Sequence, residues 1–117
     1  MTNGLGANAT GWSYYQETGN KINNGSTTAY GASYTTGNVI GILVKNGKLY
    51  FRKNGVWQNG ADVDAETGEA FSGLTGMLFP AISLYRATAP AHVVAGRFKA
   101  ADFSGSLPIG VAAWEVA

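Results

Sequence analysis

A chain of 117 residues, 45% hydrophobic and only 13% charged, is a single domain's worth of sequence and not a charge-driven disordered chain. Its formal net charge of +1 comes from eight scattered Lys and Arg against seven acids, which leaves no basic footprint for nucleic acid. There is no cysteine, so disulfides and thiolate metal sites are excluded, while 17 glycines set among many Asn, Ser and Thr point to turns rather than helices.

Taken from the start, residues 1–10 are rich in Gly and Asn and read as an irregular arm, with the domain proper running over 11–117. The arm has neither the basic nor the apolar region of a signal peptide. Asn8-Ala9-Thr10 and Asn24-Gly25-Ser26 fit the glycosylation pattern, but without secretion they indicate only loops. The aromatic run Trp12-Ser13-Tyr14-Tyr15 is β-prone and stops at a turn, Glu17-Thr18-Gly19-Asn20, ahead of Lys21-Ile22-Asn23. Residues 23–28 read as a further loop, and Tyr30 to Tyr34 leads through Thr36-Gly37 into the most patterned stretch of the chain.

That stretch, Asn38 to Trp57, holds two Asn-Gly pairs, Asn46-Gly47 and Asn54-Gly55, each flanked by apolar runs. Asn-Gly between alternating apolar residues is the strongest short-range hairpin signal, because a type I′ turn needs positive φ at both central positions. A two-residue turn at Asn46-Gly47 pairs Lys45 with Lys48, Val44 with Leu49, Leu43 with Tyr50 and Ile42 with Phe51. Ile42, Val44, Leu49 and Phe51 then share a dry face, the expected core. The second turn sets Trp57 across from Arg52, on a mixed face with Gly41, Leu43 and Tyr50, and predicts an Arg–Trp stacking contact. The mixed face is expected either to be covered by a second layer or a neighbouring chain, or to bind a partner.

After Trp57, residues 58–76 read as a polar, acidic loop. Met77 to Arg86 is predicted as a strand with Leu78, Ile82 and Leu84 inward, at an edge or bulge because of Pro80. His92 to Phe98 is predicted as another, with Val94 and Phe98 on one side and Val93 on the other, and Phe103, Pro108, Ile109, Gly110 and Trp114 close the chain. No window of helical period competes, so the fold class is all-β, and strands this closely spaced favour a sandwich. The longest run of apolar residues and glycine, Val39 to Val44, is too short to span a bilayer, so membrane insertion is not expected.

In this order the blocks Gly11-Trp12-Ser13-Tyr14, Gly19-Asn20-Lys21, Tyr30-Gly31, Gly37-Asn38-Val39-Ile40-Gly41, Leu49-Tyr50-Phe51, Lys53-Asn54-Gly55-Val56 and Leu78-Phe79-Pro80-Ala81 resemble the SPRY domain, with Asn38 where Asp is usual. The ending Arg97-Phe98, Pro108-Ile109-Gly110 and Trp114 resembles variants in bacteriophage and prophage virion proteins. The resemblance, from about Gly11 to Trp114, implies an antiparallel two-sheet sandwich of the concanavalin-like kind. It also implies a recognition module working through loops at one rim, not an enzyme. Several strands that precede the Gly-Trp-Ser-Tyr block in that family have no counterpart here, so exposed edges covered by a neighbouring chain or another copy are expected, and with them an oligomer.

Other chemistry is weaker. Asp62, Asp64 and Glu66 alternate as calcium ligands do, but the loop lacks the EF-hand spacing, and neither metal nor cofactor is expected. The lone histidine, His92, has no nucleophile or acid near it in sequence, and no predicted strand carries the two carboxylates of a glycosidase. The glycine-rich run 37–41 precedes no helix, so it is not a phosphate cradle. Trp12, Tyr14, Tyr15, Tyr30, Tyr34 and Trp57 are candidates for sugar stacking, although rings in small sandwiches are mostly core. The expected contact residues are Asn23, Asn24, Tyr34, Tyr50, Arg52 and Trp57. The expected partners are other virion proteins or copies of the chain, with host surface glycans as the alternative. An intracellular protein-interaction module of the cellular kind is a further alternative. The expected location is a virion assembled in the bacterial cytoplasm.

Overall fold

The computed structural model describes residues 5–83 and 94–97, and the strands in that part form two antiparallel three-stranded sheets. The first contains β1 (Trp12–Tyr14), β2 (Lys21–Asn23) and β3 (Ser26–Thr28), in that order. The second contains β4 (Ile40–Lys45), β5 (Lys48–Lys53) and β6 (Val56–Trp57), again in order. The fold is therefore an all-β antiparallel sandwich.

The turns follow the Asn-Gly chemistry. Asn24, Asn46, Asn54 and Asn59 all have left-handed φ, between 49° and 59°, and each is followed by a glycine of positive φ. The β4–β5 register is the one the turn at Asn46-Gly47 dictates, with Lys45 opposite Lys48 and Ile42 opposite Phe51. Arg52 lies opposite Trp57. Residues 23–28, expected as a loop, instead form the β2–β3 hairpin, because Asn24-Gly25 makes the same turn and Lys21 to Asn23 pair with Ser26 to Thr28.

The sheets meet through aromatic rings. Tyr14 of β1 lies 5.2 Å from Phe51 of β5 and 5.8 Å from Tyr30, centroid to centroid, with Leu49, Ala70 and Leu74 completing the buried cluster. Ring pairs tilted or edge-on in this way gain about 0.5–1.5 kcal/mol each beyond the area they bury. Gly19 is required beneath them: its φ is +73°, and a side chain there would run into the Gly31 carbonyl.

Four further expectations are corrected. Ile42, placed on the dry face with Phe51, is 39% exposed, while Leu49 and Phe51 are buried and Val44 packs beside them. The mixed face is covered over part of its length: Leu43 and Tyr50 are buried under Val63, with Ala61 and Trp57 packed alongside. Its cover over Leu43 and Tyr50 is this chain's own 58–76 segment rather than a second sheet. That segment also completes the second edge of β5, where the Leu49 N–H donates to the Phe71 carbonyl at 2.8 Å and the Ala70 N–H donates back at 2.7 Å. Residues 77–83, expected as a strand, are irregular, with Phe79 and Ile82 exposed and only Leu78 against the core. Val94 to Arg97 is likewise exposed and not a strand. Leu84 to Val93, His92 among them, and Phe98, Phe103, Pro108, Ile109, Gly110 and Trp114 lie outside the described residues.

Candidate functional site

The clearest surface feature is made by the Asn54-Gly55 turn. By setting Arg52 opposite Trp57 it brings the guanidinium over the indole, 5.4 Å from the ring centroid. Gly41, opposite Arg52 on the other side, leaves room for the arginine stem: a Cβ there would lie 2.6 Å from Arg52 Cγ. Trp57 in turn packs edge-on against Tyr50 at 6.3 Å. Arg52 and Trp57 are both half-buried, so each also reaches solvent.

Tyr50 lies beneath this pair. It is completely buried, and its hydroxyl has no hydrogen-bond partner among the described residues. Burial is the main cause that pushes its phenol above the ordinary value of 10.0, with the carboxylates of Glu69, Glu66 and Asp62 adding to it. The phenol is therefore neutral under physiological conditions. Its ring supports Trp57 from below and meets no solvent.

The other predicted contact residues are not in this group. Tyr34 packs 5.1 Å from Tyr14 in the cluster between the sheets, and its hydroxyl donates to the Tyr14 carbonyl at 2.9 Å. Asn23 and Asn24 hold the arm: the Asn23 amide donates to the Gly11 carbonyl at 2.8 Å, and the Asn24 N–H donates to the Asn8 carbonyl at 3.0 Å. The structure thus brings together Tyr50, Arg52 and Trp57, and leaves Asn23, Asn24 and Tyr34 elsewhere.

Two further groups, one next to the pair and one at the other end of the hairpin, escaped the sequence reading. Gln58 is buried; its side-chain oxygen accepts the Ala32 N–H at 2.9 Å and its amide donates to the Val56 carbonyl at 3.0 Å. Continuing the Arg52–Trp57 register one step would have placed Gln58 beside Phe51 on the core face. The second is the seating of the acidic loop. Lys45 donates to the Val63 carbonyl at 3.0 Å, Lys48 to the Glu66 carbonyl at 2.6 Å, and the Asn46 amide to the Glu66 carboxylate at 3.0 Å. Within the loop, the Asp62 carboxylate accepts the N–H groups of Asp64 and Ala65, both at 3.0 Å, an Asx turn. Among the described residues no group of three or more His, Asp or Glu stands close enough to hold a metal ion, and no helix is long and apolar enough to cross a membrane.

The architecture is thus an antiparallel sandwich whose central hairpin is packed on both faces and carries a cation–aromatic pair at one end of the sheet. The chain belongs to the SPRY domain family, whose profile matches residues 1–98. SPRY domains mediate protein–protein interactions, so a protein is the general kind of partner for this domain. Among curated proteins none matches the chain.

Proposed function

We propose that this SPRY domain is a non-catalytic binding and structural module of a bacteriophage particle, in a tail, fibre or capsid-decorating component assembled in the bacterial cytoplasm. Its partners on this reading are other virion proteins or further copies of the chain. The observation that carries the contact mode is the Arg52–Trp57 pair, since Trp and Arg anchored on a rigid strand are the residue types that dominate protein interfaces. The resemblance of the Arg97-Phe98, Pro108-Ile109-Gly110 and Trp114 ending to virion variants supports the setting. The aromatics weigh toward protein rather than sugar: Tyr14 and Tyr30 are in the core, and the Tyr34 hydroxyl is already engaged.

The test has two parts. Mass spectrometry of purified particles should find the chain among the virion proteins, and its absence there removes the phage setting. Trp57→Ala should weaken capture of the partner found in those particles by roughly 30-fold, equivalent to an interface hot spot of about 2 kcal/mol. Val56→Ser, at a neighbouring residue that is 66% exposed, should leave it unchanged. A glycan array bound through Trp57, with no protein captured, would replace this reading by the glycan one.

A further inference from the structure

The four Asn-Gly turns of the described structure share one dipeptide and one left-handed conformation, yet they are restrained very differently. The geometry points to Asn59-Gly60 as a site of spontaneous deamidation, the first of the four to convert. In this reaction the Gly60 backbone nitrogen loses its proton and attacks the side-chain carbonyl carbon of Asn59. The side-chain nitrogen leaves as ammonia and a five-membered succinimide closes. Solvent water then opens the ring at either carbonyl, giving aspartate or isoaspartate, so that one water is consumed and one ammonia released. Glycine favours the step because it has no side chain to hinder the approach of its nitrogen.

Ring closure requires the asparagine to leave the left-handed turn and swing its amide back over the next peptide, so every tether on the turn slows it. Asn46 and Asn54 sit in hairpins whose strands are paired on both sides of the turn. Their amides are also tied, Asn46 as donor to Glu66 at 3.0 Å and Asn54 as acceptor from the Val39 N–H at 2.8 Å. At Asn24-Gly25 the peptide itself is clamped: Asn24 N–H donates to Asn8 at 3.0 Å, and the Gly25 nitrogen, the attacking atom, donates to Gly6 at 2.9 Å. Asn59 is exposed and follows the end of β6, and its amide reaches only the Gly68 carbonyl, at 3.4 Å. That turn is closed by the Ala61 N–H on the Gln58 carbonyl at 3.2 Å.

The position gives the conversion a consequence. Asn59 and Gly68 flank the neck of the loop whose Val63 covers Leu43 and Tyr50. Losing the amide donor leaves a carboxylate facing the Gly68 carbonyl, which repels instead of binding. The new carboxylate also takes the formal net charge from +1 to zero. Deamidation therefore removes one tie at the neck of the loop that covers the second sheet, leaving the Lys45, Asn46 and Lys48 contacts to hold it.

The experiment is site-resolved peptide mapping by mass spectrometry after incubating the folded full chain at neutral pH, with a parallel sample in concentrated urea. In urea the four sites should convert at similar rates, because only the dipeptide remains. In the folded chain Asn59 should convert at least about fivefold faster than Asn24, Asn46 or Asn54, the effect of one net hydrogen bond on a rate. Asn59→Gln should abolish the signal in its peptide and leave the other three unchanged. Equal folded rates at all four sites, or faster conversion at Asn24, Asn46 or Asn54, would overturn the assignment.

Discussion

Tyr50 carries its hydroxyl into an interior that offers it no acceptor among the described residues, although its ring is the largest fully buried side chain there. A buried hydroxyl without a partner costs about 1–3 kcal/mol, so the ring contributes packing while its polar tip works against stability. Tyr50→Phe should therefore raise the urea midpoint, by about 1 kcal/mol in unfolding free energy, and leave the Arg52–Trp57 contact in place. A loss of stability instead would mean that the hydroxyl has a bound partner such as an internal water, which a high-resolution crystal structure would show. Alternation along β5 puts Tyr50 on the face of Arg52 and Trp57, and the sequence carries that much. It does not carry the burial, because the covering residue, Val63, is 13 positions away in an acidic loop that has no periodicity.

Elements built on local turn chemistry were legible, and elements held by distant contacts were not. The β4–β5–β6 meander follows residue by residue from Asn46-Gly47 and Asn54-Gly55, since two-residue turns fix register. The same dipeptide at 24–25 marks the β2–β3 hairpin, obscured by the all-polar Ser26-Thr27-Thr28 strand, which is exposed throughout and has no apolar alternation. The Arg52–Trp57 pairing was legible in the sequence, whereas the placing of Asn23 and Asn24 apart from it, bonded to Gly11 and Asn8, was not. The 58–76 segment was misjudged because its many polar residues conceal four buried ones, Gln58, Val63, Ala70 and Leu74. Its role as a cover is open to test. Val63→Ala should destabilise the fold by about 2 kcal/mol through lost burial and a cavity over Tyr50 and Leu43, with the urea m-value unchanged. A freely solvated loop would show no such cost.

At the scale of the whole molecule, the sandwich is joined by a layer of phenol rings, and that layer sets how the fold responds to alkali. Tyr14 touches Tyr30, Tyr34 and Phe51, and burial is the main cause that raises the pKa of Tyr14, Tyr30 and Tyr34 above 10.0, as it does for Tyr50 in the second cluster. Tyr15 is also raised, chiefly by its hydrogen bond to Glu17, but its exposed position keeps it out of this layer. For an acid whose folded pKa is raised, the folded state holds its proton in a range where the unfolded state has lost it. The associated stability is thus fully present below 10.0 and is lost as pH rises from there through the folded values. These tyrosines should contribute no slope to the urea midpoint on the acid side of 10.0 and a steep fall above it. Loss of tryptophan and far-UV signals should come at one midpoint, since an ionised phenolate between the sheets separates both layers together. Resolved residue by residue, the phenolates of Tyr14, Tyr30, Tyr34 and Tyr50 should appear with unfolding and not before it, whereas the exposed Tyr15 can ionise while the fold is intact. Phenolate at Tyr14, Tyr30 or Tyr34 while the fold remains intact would show that the rings between the sheets reach solvent, and that the two sheets are joined by something other than this aromatic layer.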